Sequence, residues 1–183
     1  MIRHRALAFV LVIGASGIPG IAAITSPVVM QLELTGIAGD SADPRHPGTI
    51  DVQGFSSGVQ LPVTSSSGGL GSKASFSNLS VTKLVDKSTP SLFFFCASGT
   101  HLAKATLYVR PANSTNDMYK VILQDVVIAS VNNTFAAGGD RPTETITLSY
   151  SKIQWSYQAL DANGGFSGAP SVTGWDIVQN KRL

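Results

Sequence analysis

PTETITLSYSKIQWSYQA, residues 142–159, reads as one long β-strand. Ile146, Leu148 and Tyr150 fall at even positions between Thr and Ser, the period of two that turns one face of a strand inward. Ile153, Trp155 and Tyr157 then take odd positions, so a bulge or sharp bend near Ser151 and Lys152 is needed to return both sets to one face. The same alternation recurs on either side. Val28, Met30, Leu32 and Leu34 alternate with Gln31, Glu33 and Thr35, and Ala103, Ala105, Leu107 and Val109 alternate with Lys104, Thr106, Tyr108 and Arg110. Strand patterning resumes at Ile50 and Val52, covers Ala74 to Leu84 and Asp117 to Val131, and returns briefly at Trp175, Ile177 and Val178.

Composition agrees with an all-β chain. Charged residues make up 13% of 183, and Gly numbers 18, a balance that suits strands and turns better than surface helices. One domain is expected at this length. The segment 36–51, GIAGDSADPRHPGTID, concentrates Gly, Pro, Asp and Ser and is expected to be an ordered loop held by Asx and proline turns. STPSLFFFCASG, residues 88–99, is the one helix signal. Ser88 or Thr89 suits the N-cap, Pro90 the first helical position and Gly99 a left-handed C-terminus. Leu92 to Cys96 are apolar on all sides, so sheet or a neighbouring molecule must cover them; periodicity alone would equally allow a buried strand there.

The N-terminus is read separately. Arg3 and Arg5 precede the apolar run Ala6 to Ile13, and Gly17, Pro19 and Gly20 break it ahead of a small-residue cleavage site after Ala22 or Ala23. Residues 1–23 are therefore expected to be a signal peptide, leaving 24–183 as the folded domain of a periplasmic or extracellular protein. The run is too short for a bilayer span. Without Arg3 and Arg5 the 13 basic residues become 11, equal to the 11 acidic ones. No basic patch interleaved with aromatics remains for nucleic acid, and none for anionic membranes.

Candidate chemistry is sparse. His4, His46 and His101 have no paired-ligand spacing, so neither metal nor cofactor is expected. Cys96 is the only cysteine, which excludes an intrachain disulfide and fits a small buried hydrophobe. Ser-x-x-Lys occurs at Ser80 to Lys83 and at Ser149 to Lys152, but residues three apart on a strand face opposite ways, which argues against a nucleophile and its base. The Ser/Gly-rich excursion from Val59 to Lys73 carries Val59, Leu61, Val63 and Leu70 without local partners, so another part of the protein or another subunit should bury them. Asp86 suits the positive end of the helix, and Lys87 can pair across a subunit boundary.

Five segments in order carry a family pattern: GDSADPRHPGTIDV (39–52), SFSNLSVTKLVDKSTPSLFFFCASGTHLAKATLYVR (75–110), LQDVVIASV (123–131), RPTETITLSYSKIQWSYQ (141–158) and WDIVQNK (175–181). Together they resemble the Hcp (haemolysin-coregulated protein) family of type VI secretion, most specifically at Thr82-Lys83, Asp86-Lys87, Pro90, Gly99, Pro142 to Glu144 and Tyr150 to Ile153. The resemblance implies an antiparallel β-barrel of two sheets with one short flanking α-helix. It also implies a six-membered ring of identical subunits, stacking of rings into a tube, effector proteins and other secretion components as partners, and no enzymatic activity. Such subunits assemble in the cytoplasm before type VI export. A general-secretion leader departs from that route and favours a ring exported on its own, or a secreted β-barrel binding module or effector-like factor that kept the fold without the tube role.

Overall fold

The computed structural model describes residues 26–62, 73–135, 137–138 and 141–183. The patterned segments form strands β1 (Val28–Leu34), β2 (Ile50–Val52), β3 (Gly54–Ser56), β4 (Val59–Gln60), β5 (Ser75–Phe76) and β6 (Leu79–Leu84). Helix α1 (Thr89–Ser98) follows, then β7 (His101–Pro111), β8 (Tyr119–Thr134), β9 (Thr143–Leu160), β10 (Phe166–Asp176) and β11 (Lys181–Arg182). The segment expected as one strand from Ala74 to Leu84 is split into β5 and β6. The Gly-rich stretch 161–170 is not all turn, because β10 already begins at Phe166.

Among the described residues all pairings between strands are antiparallel, and they form two sheets. The larger has nine strands, ordered β11-β10-β9-β8-β7-β1-β2, with β6 also paired to β9 and β3 to β6; the smaller is β4-β5. The mainly β, two-sheet class with one helix is as expected, but the large sheet does not close into a barrel. Residues 50–56 span its gap. Ile50–Val52 pair with β1 and Gly54–Ser56 with β6, while the Gln53 N–H between them donates to the Thr82 carbonyl. Three residues on each side bridge two edges without making a continuous ladder.

A fold line across three strands explains the parity change in the 142–159 stretch. On β9 the fully buried residues pass from Ile146 and Leu148 to Ile153. On β8 they pass between Val126 and Leu123, and on β7 between Leu102 and Ala105. These positions are in register, with Leu102 opposite Val126 and Ala105 opposite Leu123, which in turn faces Ile153. Each strand therefore turns two successive residues outward along one line: Ala103-Lys104, Gln124-Asp125 and Ser151-Lys152. Ala103, expected inward, is exposed for this reason. Asp125 at the centre has φ 53°, a left-handed conformation rare outside Gly, Asn and Asp. A bulge at Ala129 lies further along β8, between the pairs Ile128/Leu148 and Ser130/Thr147.

The enclosed core gathers Leu32, Ile50, Leu79, Val81, Leu107, Val121, Leu123, Leu148 and Ile153, all at most 1% exposed. Each such side chain contributes about 1.5–3 kcal/mol by leaving water. Helix α1 lies against β8 and adds Leu92 to this core. Ser88 occupies the N-cap without a side-chain cap bond, Pro90 stands in the first turn and Gly99 closes the helix at φ 63°, its N–H reaching back to the last turn.

Candidate assembly interface

The side chains that hold α1 to the sheet come from the motif positions singled out in the sequence. Lys83 on β6 and Glu144 on β9 are direct cross-strand partners and are both fully buried. The Lys83 ammonium lies 2.9 Å from Glu144 Oε1 and 2.8 Å from Asp86 Oδ1. It also donates to the Leu84 carbonyl and to Thr89 Oγ1 in the first turn of the helix. Asp86 accepts the Ser88 N–H and hydroxyl. Burial alone would raise the Asp86 carboxyl, but hydrogen bonds from Lys83 and Ser88 and the Lys83 charge outweigh it and hold the pKa below its ordinary value.

Asp86 is thus spent inside the subunit, with its side chain 8% exposed. Lys87 points outward, 3.6 Å from Asp40 of its own chain. The buried Lys83–Glu144 pair was missed from sequence although a signal for it existed. Lys83 continues the inward parity of Leu79 and Val81, and Glu144 that of Ile146 and Leu148, so opposite charges sit at facing core positions.

Above this clasp, α1 leaves a greasy face uncovered. Phe93 is 44% and Phe94 66% exposed, while Phe95 and Cys96 are partly covered against the core. Apolar side chains are also exposed on the β9–β10 ribbon at Tyr157, Phe166 and Val172, and on the small sheet at Val59, with Leu61 just beyond it. The small sheet is fastened to the body at two points: the Tyr150 hydroxyl donates to the Ser77 carbonyl at 2.9 Å, and Phe76 stacks on Trp155 with ring centroids 6.5 Å apart. Lys73 is exposed next to β5. Val63, Leu70 and residues 1–23 lie outside the described residues.

The remaining candidates are used structurally. The 36–49 loop is pinned over β1 and β7 by two acid–base contacts, Asp43 with Arg110 and His46 Nε2 with Asp117 Oδ1 at 3.0 Å. His46 stacks on Tyr108 with centroids 3.9 Å apart. The Tyr108 hydroxyl donates to Glu33; burial first and the Glu33 carboxylate second push its pKa up to about 12.

On the fold line, Asp125 accepts from Ser151 at 2.6 Å and contacts His101 Nδ1 at 2.7 Å, tying β7, β8 and β9 together. The Ser151 bond first and His101 second lower its pKa. Ser80 and Lys83 face opposite sides, as strand geometry requires. For Ser149 and Lys152 that expectation fails, because the fold line between them turns both outward. Lys152 Nζ nevertheless lies 3.6 Å from Asp176. Among the described residues no group of three His, Cys, Asp or Glu could hold a metal ion, and no helix is long and apolar enough to cross a membrane.

Comparison with known proteins places these features in a family. Residues 31–157 match the family described as "Type VI secretion system effector, Hcp". Protein hcp1 of Pseudomonas aeruginosa is 38% identical over 157 residues, covering 84% of this chain and 97% of its own length. Among solved structures, a type six secretion system protein superposes with a TM-score of 0.81 and 30% identity, covering 86% of this chain and 100% of its own. Hcp1 from Salmonella typhimurium superposes with a TM-score of 0.73 and 29% identity, covering 85% and 99%.

Proposed function

Because this chain belongs to the Hcp family of type VI secretion proteins, we propose that it is a structural subunit that closes head to tail into a six-membered ring and performs no catalysis. The observation that supports assembly most directly is the bare aromatic face of α1. Phe93 and Phe94 project from a helix whose base is locked by buried ion pairs, and rigid exposed aromatics are the anchors that protein interfaces favour. The β9–β10 ribbon offers a second apolar surface, so each subunit has two different faces, as a heterologous closed ring needs.

The hairpin end at Val59 and Leu61, continuing through Val63, Leu70 and Lys73, serves contacts between stacked rings, with Lys87 at the subunit boundary. Asp86 supports that boundary from inside by fixing the start of α1. Small effector proteins in the ring lumen and other secretion components are the further partners. The leader at residues 1–23 directs export through the general secretory route, so the ring assembles after crossing the membrane.

Electron microscopy of two variants tests this reading. Phe94→Glu puts a charge in the middle of the apolar face and is expected to abolish rings while the circular dichroism spectrum stays that of the parent. Val59→Asp with Leu61→Asp is expected to keep rings and lose stacks. Undiminished rings with Phe94→Glu would overturn the assignment of that face.

A further inference from the structure

Three loops meet around a single buried serine. Ser114 lies between β7 and β8 and is 5% exposed. Its hydroxyl donates to the Gly164 carbonyl at 2.9 Å and accepts the Asn116 N–H at 3.0 Å. Its own carbonyl accepts from Arg110 Nη1 at 2.7 Å, and the other arm of that guanidinium holds Asp43 of the 36–49 loop. The Asn116 side-chain amide makes a second bond to the Gly164 carbonyl at 2.9 Å. Gly164 belongs to the turn 161–165 between β9 and β10, where Asp161 Oδ1 accepts the N–H groups of Asn163 and Gly165.

The turn is seated without a gap. A Cβ at Gly164, where φ is 79°, would lie 3.2 Å from both Cβ and Oγ of Ser114. Loops are ordinarily the most mobile parts of a domain, but these are cross-tied over 50 residues of sequence on one side and 67 on the other. What the two turns present outward is short: Ala112, Asn113, Thr115, Ala162 and Asn163 are all exposed. A preorganised surface of short side chains loses little entropy when another surface settles on it.

The same end of the sheet carries the β4–β5 hairpin. Tyr119, the first residue of β8 after the Ser114 turn, pairs with Tyr157 near the end of β9. It also lines a cleft of about 260 Å3 together with Gly58, Val59 and Trp155. The hairpin and the knotted turns are therefore neighbours on one rim. We propose that this rim is the platform on which the next ring of the same chain stacks, and that Ser114 is the positioning residue that holds its shape. The serine hydroxyl fixes the 161–165 turn, and the serine carbonyl, through Arg110, fixes the 36–49 loop. This rests on the stacked rings proposed above and adds to the hairpin a second, preformed part of the contact between rings.

Ser114→Ala in the full chain removes both hydroxyl bonds and leaves the main-chain bond to Arg110 in place. Electron microscopy over a concentration series counts rings and stacks, and amide hydrogen exchange reads the order of residues 112–117 and 161–165. Rings are expected to persist while exchange in both turns speeds up and the concentration needed for stacking rises, each by at least about tenfold. Asn116→Ala, which removes the other side-chain bond to Gly164, should act in the same direction. Asn113→Trp crowds the exposed surface without touching the knot, so it should block stacking while exchange stays that of the parent. Undiminished stacks in Asn113→Trp, or in a Ser114→Ala whose turns have loosened, overturn the platform. Unchanged exchange in Ser114→Ala overturns the role of the serine. A parent that forms rings but never stacks overturns the contact between rings and leaves the ring standing, whereas a parent that stays monomeric overturns the ring itself.

Discussion

Replacing Lys83 by Met should unfold this protein at a much lower temperature without any loss of packing volume to blame. The ammonium is fully buried and neutralises two carboxylates, Glu144 with no exposure and Asp86 with 8%. Met keeps the apolar stem but leaves Glu144 as a buried charge with no cation, while Asp86 retains Ser88 and the Asp40 N–H but no cation. Breaking one partner of a buried pair costs about 3–5 kcal/mol. For a chain of this size each kcal/mol moves the melting temperature by about 2–4 °C, so the drop should be about 6–20 °C.

Lys83→Met combined with Glu144→Met removes both charges and should return to within about 1–2 kcal/mol of the parent, since apolar replacement of a whole buried pair is close to neutral. Thermal unfolding followed by circular dichroism, completed as a double-mutant cycle with Glu144→Met alone, measures the coupling. A Lys83→Met loss below about 1 kcal/mol, or a double variant as unstable as the two singles added together, would refute the reasoning.

Acid should loosen the same clasp. Asp86 has a lowered folded pKa, so its contribution is present above the unfolded value near 3.8 and is lost as pH falls through the lower folded one.

Further predictions concern the fold line, the loop clasp and the helix end. Ser151→Ala should raise the Asp125 pKa toward its ordinary value, because the Ser151 hydroxyl is the largest influence lowering it; an unchanged carboxyl titration by NMR would contradict this. Glu33→Gln should lower the Tyr108 phenol from about 12 while leaving it above an exposed tyrosine, since burial is the larger cause. Ultraviolet titration against Tyr108→Phe identifies the signal. Gly99→Ala should cost about 1 kcal/mol or more, because φ 63° at the helix C-terminus suits glycine and strains any residue with a Cβ; denaturant unfolding at equal slope reads it.

The strands were legible because alternation survives burial, and the helix because Pro90 and Gly99 punctuate it. The parity break in residues 142–159 correctly announced a bend, but a single strand could not reveal that β7 and β8 bend with it. That coordination comes from cross-strand register and from one left-handed aspartate. It also reverses the strand argument at Ser149 and Lys152, which holds only where alternation is unbroken.

Its place before a helix points Asp86 to the positive helix end and to a subunit boundary. The structure turns it toward Lys83, a partner recognisable only once Lys83 is seen to continue the inward parity of Leu79 and Val81.

Native mass spectrometry of the purified full chain weighs the particle it forms in solution. A dominant species of six subunits, dissociating through smaller oligomers as protein is diluted, is the expected result. A single-subunit mass at every concentration up to about 100 μM, where an association of even modest strength would be populated, would contradict self-assembly as this protein's work.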